Sequence, residues 1–224
     1  MHTVKGQVVE LILEGGLRHA RISCLGKLIP FPGQYLIASH ASDSPLPVPL
    51  FYTDSSPQGF LASAPIPDFW APGMDLYLHG PLGHGFTIPA FARKVALVAF
   101  DVPPSRLRGL IAPALKQGAA VVLVTNFESD SLHDEVEVQP AASLGEVMEW
   151  ADYLAFDTAR ENLVELRESL EKMKQAWLGK EAQVLIRTPM PCGEVADCGV
   201  CAINLRSGPQ LACKDGPVFD LKEI

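Results

Sequence analysis

Four of the five cysteines, Cys192, Cys198, Cys201 and Cys213, fall within 22 residues near the C-terminus. The surrounding segment, 189–224, is built from Cys, Gly, Asp and Pro with few periodic apolar residues. Such a segment is too small to build its own core and often needs a metal to hold it. The spacing is C-x5-C-x2-C-x11-C. A two-iron cluster takes four thiolates, three of them from a loop that wraps the inorganic core, as in the C-x4-C-x2-C run with a later fourth cysteine. This chain has one residue more in the first gap. Gly193 and Gly199 would let the backbone turn tightly and aim N–H groups at sulfur. Three other readings compete. A structural zinc site usually has two close pairs, and here only Cys198 and Cys201 are close. A Cys198–Cys201 redox dithiol leaves Cys192 and Cys213 unexplained. The cysteines could also be plain core residues, as Cys24 is expected to be within its strand.

The formal net charge is −8. No Lys/Arg cluster supplies the basic footprint that nucleic-acid binding requires. The start, MHTVKGQVVELILEGG, has no cationic segment followed by an apolar run, and the longest apolar stretches are far too short to span a bilayer. A cytoplasmic location without a membrane span is expected.

Three regions follow one another. Residues 1–91 read as β-rich. Strands are expected at 7–13 and 18–25 around the turn Glu14-Gly15-Gly16, and again at 35–38 and 75–78. Between them stand Pro45, Pro47, Pro49, Pro57, Pro65, Pro67 and Pro72. Proline lacks the ladder N–H, so this stretch is expected to be irregular, with one edge strand at 50–53. The result is a shortened N-terminal β-barrel. Residues 92–188 change character. Continuous apolar runs at 94–100 and 120–125 predict parallel strands covered on both faces. A helix is expected over 105–117, with Ser105 as N-cap and Gly118 as stop. A short helix at 143–150, a strand at 153–156, a long helix at 160–177 and a strand at 183–187 complete a small parallel-sheet α/β domain. The Glu161, Glu165, Glu168, Glu171 and Lys172 set reads as that helix's solvated face. Residues 189–224 form the cysteine module. The fold class is thus mixed β and α/β.

Other chemistry is excluded more easily. His19, His40, His79 and His133 show no metal-ligand spacing with a carboxylate, and His133-Asp134-Glu135 reads as a polar loop. No G-x-S-x-G elbow is present.

Three local matches carry a resemblance. Pro32-Gly33-Gln34-Tyr35 looks like a PGQF/Y approach to a barrel. Gly80-Pro81-Leu82-Gly83-His84-Gly85-Phe86 looks like GPLGNGF. Met190-Pro191-Cys192-Gly193 through Cys213-Lys214-Asp215-Gly216-Pro217-Val218-Phe219 looks like an M-x-C-G…C-x-x-C…C-x-D-G-P-V-F tail. Together they resemble the iron–sulfur electron-transfer subunit of class B dihydroorotate dehydrogenase, of the ferredoxin reductase superfamily, which serves pyrimidine biosynthesis. The resemblance implies a flavin-binding barrel, a nucleotide-binding α/β domain and a [2Fe–2S] module. Electrons would pass from NADH through FAD to the cluster, and on to an FMN-carrying catalytic subunit in a hetero-oligomer. By motif, Cys192, Cys198, Cys201 and Cys213 would ligate iron, and Gly80, Pro81, Leu82, Gly83, Gly85 and Phe86 would contact the flavin. The other reading of residues 80–86 is a tight glycine turn between barrel and α/β domain. His84, at the family's Asn position, reads as a solvated or hydrogen-bonded side chain.

The chain departs from that pattern twice. Pro47-Val48-Pro49-Leu50-Phe51 stands where the family carries R-P-x-S, so a charge-assisted partner of FAD is missing. Ala99-Phe100-Asp101-Val102-Pro103-Pro104-Ser105 replaces a glycine-rich phosphate loop, and Phe156-Asp157-Thr158-Ala159 replaces the Cys-Gly-Pro turn that meets nicotinamide. Asp101 would repel a phosphate, and prolines donate no N–H. Weakened FAD binding and weak or absent NAD(P)H binding are expected, and independent reductase activity is not. Two functions follow: an electron-transfer subunit with a [2Fe–2S] cluster beside a flavoprotein, or a non-catalytic assembly subunit of a redox complex.

Overall fold

A computed structural model of the protein describes residues 4–14, 16–40, 46–63, 65–128 and 132–224. Gly15 and Pro45 lie outside the described residues. The first six strands are β1 (Val4–Glu14), β2 (Leu17–Ser23), β3 (Tyr35–Ser39), β4 (Val48–Ser56), β5 (Gly59–Ala62) and β6 (Asp75–Leu82). They close into a barrel in the order β1-β2-β5-β4-β3-β6, with β1 pairing back to β6. The proline-crowded stretch therefore supplies two barrel strands instead of shortening the barrel, and the expected edge strand at 50–53 has neighbours on both sides. Register explains how prolines are tolerated. Val48–Phe51 pair with β3, whereas Tyr52–Ser56 pair with β5. Pro49 thus lies in the half of β4 that has only one ladder partner. The missed strand β5 follows Ser56-Pro57-Gln58, a turn signal that was legible in the sequence.

The α/β region contains β7 (Lys94–Ala99), α1 (Ile111–Lys116), β8 (Ala120–Val124), β9 (Val136–Gln139), α2 (Leu144–Trp150), β10 (Tyr153–Ala159), α3 (Leu163–Lys172), α4 (Lys174–Trp177) and β11 (Glu181–Arg187). Strands β11-β10-β7-β8-β9 run parallel in that order. Residues 153–158 of β10 are all buried, as expected of a strand with both faces covered. Two helices differ from expectation. Ser105 caps nothing: Arg106 is drawn to Asp157 and Arg108 to Glu14, which holds the chain in tight turns until α1 begins at Ile111. The helix expected over 160–177 breaks at Met173, whose φ is −108° and ψ 21°. The break lets Trp177 fold back, its indole N–H donating to the Leu170 carbonyl at 3.1 Å. The acidic residues of that helix face solvent as expected, and Cys24 is half-buried.

The last strands are β12 (Ala202–Leu205), β13 (Gly208–Leu211) and β14 (Val218–Asp220). The first two form a hairpin. The third adds antiparallel to β11, so the D-G-P-V-F tail becomes the sixth strand of the α/β sheet. Two cores result. One fills the barrel with residues such as Val8, Ile22, Leu36, Phe60 and Leu78. The other joins the sheet, the barrel's outer wall (Tyr35, Ile37, Phe51) and the tail (Cys201, Ile203, Cys213, Phe219). Strand β3 serves both: Leu36 and Ala38 point into the barrel, while Tyr35 and Ile37 face the α/β side. Among the described residues no helix is long and apolar enough to cross a membrane.

Phe60, fully buried in the barrel core, should cost about 3–5 kcal/mol when changed to Ala. Leu13→Ala, at a position 76% exposed, should change stability by less than about 0.5 kcal/mol. Urea unfolding of both variants checks the pair.

Candidate metal centre and interdomain cleft

Strand β11 ends at Arg187, and Thr188-Pro189-Met190-Pro191 carries the chain to the first cysteine. The turn there presses on the barrel. Gly193 has φ +52°, and a Cβ on it would stand 2.5 Å from Ile37 Cγ1. A side chain at 193 would lift the cysteine loop off β3. Beyond Cys201, the β12–β13 hairpin brings Cys213 back beside it, with the Ala212 N–H donating to the Cys201 carbonyl at 3.1 Å. Lys214 pairs with Asp197 at 2.5 Å, linking the fourth cysteine's neighbour to the first loop.

The sulfurs stand as two pairs. Cys192 and Cys198 are 3.4 Å apart at the surface, and Cys201 and Cys213 are 3.2 Å apart in the core. A tetrahedral metal with sulfur bonds of about 2.3 Å holds its thiolates about 3.8 Å apart. Each pair is therefore a few tenths of an ångström inside the edge of such a site. Among the described residues no three His, Cys, Asp or Glu side chains gather as a metal-holding group. The four thiols therefore stand as two separate pairs and not as one group around a single point. The thiols respond to their surroundings. Burial pushes Cys213 up to about 12, helped by its hydrogen bond with Cys201. Burial also opposes ionisation of Cys192, but hydrogen bonds at Ala196 and Cys198 outweigh it and hold that thiol below its ordinary value. A cation between the sulfurs would reverse the penalty on Cys213.

Residues 80–86 sit on this tail. Gly80, Pro81 and Leu82 finish β6. Gly83 has φ +71°, and a Cβ on it would lie 2.6 Å from the Gly216 carbonyl oxygen and 2.7 Å from Pro217 Cδ. The His84 N–H donates to the Gly216 carbonyl at 2.5 Å, and its Nδ1 lies 3.0 Å from the Asp215 carbonyl. Gln34 of the P-G-Q-Y motif donates to the Gly83 carbonyl at 3.1 Å. Gly85 precedes Phe86, whose N–H donates to the Pro32 carbonyl at 2.9 Å and whose ring is buried. The two motifs and the tail thus meet in one backbone joint.

The carboxyl ends of β7, β10 and β11 are closed by charge. Asp157, fully buried, accepts from Arg187 Nε at 2.8 Å and from Arg106 Nη1 at 3.2 Å. Asp101 takes a second Arg187 hydrogen bond, and accepts from the Ala159 N–H at 2.8 Å and from Asn162 Nδ2 at 2.6 Å. Its carboxylate covers the start of the turn leading into α3, where an anion is favoured. Two carboxylates and two guanidiniums cancel. Two clefts flank this network. One, of about 470 Å³, lies between Pro47, Pro49, Phe51, Arg106, Thr188 and Met190. The Arg106 guanidinium lies 5.6 Å from the Phe51 ring centre. The other, of about 460 Å³, runs between Arg18, Val102, Ser105, Arg106 and Arg187. The apolar wall of the first suits a flat ring. Arg18, Arg106 and Arg187 each face a carboxylate, that of Arg18 being the exposed Asp68.

A six-stranded barrel against a parallel sheet, with clefts at the seam, is a known arrangement. No protein-family model matches the sequence. Among solved structures, an NADH-dependent reduced ferredoxin-NADP oxidoreductase, studied for flavin-based electron bifurcation, superposes with TM-score 0.75 at 17% identity, over 99% of this chain and 90% of that one. A ferredoxin reductase of carbazole 1,9a-dioxygenase superposes with TM-score 0.61 at 16% identity, over 80% and 66%. A ferredoxin NADP+ reductase from Neisseria gonorrhoeae, solved with bound FAD and NADP, gives TM-score 0.57 at 11% identity, over 76% and 91%. The fold is that of the ferredoxin reductases. Identities this low carry the architecture and leave the chemistry to the residues.

Within this reductase fold, sequence reasoning named the cysteines and missed the ions. Arg106 and Arg187 lie outside every motif, and Asp157 was noted only as a substitution. No local signal could have paired them, because the partners are 30 to 86 residues apart. Asp157→Ala would leave Arg106 and Arg187 without their buried counter-charge, and should cost about 3–5 kcal/mol. Thermal and urea unfolding measure it.

Proposed function

We propose that this chain is an electron-transfer subunit in which Cys192, Cys198, Cys201 and Cys213 hold a [2Fe–2S] cluster that exchanges electrons with a flavoprotein partner. The observation that carries the reading is the arrangement of the four tail thiols as two close pairs. The cluster would supply one-electron chemistry. The protein's part is to shield one pair and expose the other. Cys201 and Cys213 are 2% and 1% exposed, against the core, whereas Cys198 lies at the surface within reach of a partner. The chain's own residues argue against hydride uptake. Asp101 and Asp157 hold the guanidiniums of Arg106 and Arg187 at the carboxyl ends of the parallel strands, and on this reading electrons enter and leave through other proteins. The resemblance makes a dihydroorotate dehydrogenase-like catalytic subunit the partner, in a cytoplasmic hetero-oligomer. The reductase fold and the bifurcating neighbour are consistent with such a relay.

The closed ionic network also favours a second reading, a scaffold subunit that has given up FAD and NAD(P)H. Cofactor content separates the two. Protein purified without oxygen should contain iron and acid-labile sulfide in equal amounts, and should give a paramagnetic signal on reduction. Protein free of both iron and sulfide would sink the relay. Cys201→Ser should abolish the visible absorption and the iron, while the secondary structure seen by circular dichroism persists. In titrations followed by fluorescence, NADH should bind at least tenfold more weakly than to a reductase with an intact glycine loop. Tight retention of FAD through purification would rule out the pure scaffold.

A further inference from the structure

The hydroxyl of Tyr35 reaches out of the barrel wall and ends on the cysteine tail. The side chain is fully buried, and its hydroxyl donates to the Cys213 carbonyl at 3.0 Å. Both ends of this link are fixed. The ring lies beside that of Phe51, with centroids 5.7 Å apart. Gly83 leaves room for its edge, since a Cβ there would stand 3.1 Å from Tyr35 Cε1. On the other side, the Leu211 N–H donates to the Asp215 carboxylate at 2.7 Å, which pins the turn that carries Cys213. The acceptor belongs to the buried sulfur pair, where solvent screens least.

We propose that Tyr35 is a positioning residue that raises the reduction potential of the cluster through the Cys213 carbonyl; this rests on the cluster reading above. Reduction adds one electron, hence one negative charge, beside thiolates that are half out of water. The phenolic O–H presents the positive end of its dipole to the Cys213 peptide. In a buried site that dipole acts at short range with little screening. It therefore favours the reduced state over the oxidised one, as hydrogen bonding around cluster ligands generally does. A purely structural hydroxyl would behave otherwise. Its loss would weaken the fold by leaving a buried carbonyl unpaired, and the potential would stay where it was.

The test is a redox titration of the full chain, purified without oxygen and followed by electron paramagnetic resonance. Three proteins are compared: wild type, Tyr35→Phe, and Tyr35→3-fluorotyrosine introduced at that position alone. Iron and sulfide are counted first in each. The expected result is equal cluster content, with the potential lowest for Phe, intermediate for Tyr and highest for fluorotyrosine, the strongest donor. Coincident potentials, or the reverse order, would overturn the inference. If the Phe variant fails to hold its cluster, the wild type and fluorotyrosine proteins decide the sign between them. A wild type without iron and sulfide would remove the cluster reading and this inference together. A loaded wild type whose potential ignores position 35 would remove this inference alone.

Discussion

The backbone of Gly83 and His84 lies directly on that of Gly216 and Pro217, with no space for a side chain between them. That close approach joins the end of the barrel to the end of the chain. Much of the architecture depends on it. Immediately after the contact the tail enters the sheet, with the Ile186 N–H donating to the Pro217 carbonyl at 2.9 Å and β14 zipping onto β11. Immediately before it lies Cys213. The cysteine is thus anchored just ahead of a barrel contact and the sheet strand that follows it, and the short module needs no core of its own. It borrows the core of the α/β sheet and the outer wall of β3.

The opposite side of the same seam is governed by charge. The ferredoxin reductase fold leaves a crevice at the carboxyl ends of its parallel strands, where glycines ordinarily let phosphates approach a helix. Here Asp101, Asp157, Arg106 and Arg187 fill it with a set of two carboxylates paired to two guanidiniums. Such a set is costly to break, because removing one member strands a buried charge. The molecule thus has one end arranged around thiols and another sealed by ion pairs.

The sequence was most legible where a local signal was enough. The parallel strands β7 and β8 are continuous apolar runs, and both were read with nearly their observed limits. The four cysteines were named from spacing, although their grouping was not: the closest pair in sequence, Cys198 and Cys201, is not a pair in space. The hairpin between β12 and β13 carries Cys213 to Cys201 and leaves Cys198 to Cys192. The Gly80–Phe86 motif was read as flavin contacts or as a tight turn, while its contact with Gly216 and Pro217 left no local signal. Proline counting misjudged β4, because the half-strand that contains Pro49 has a ladder on one side only. Helix periodicity ran straight through Met173, because the break is enforced by Trp177 returning to the core.

By itself, the sequence determined the two kinds of layer, since period and apolar run length are properties of neighbouring residues. It also determined that four thiols would be available near one end, and that residues 99–105, after the first parallel strand, would carry no glycine. Only the tertiary structure decided what those residues meet. The reach of Tyr35 to Cys213 and the closure of the crevice by Arg106 and Arg187 each join positions far apart along the chain. Their geometry is set by how the barrel packs on the sheet, and packing at that range leaves no trace in local spacing.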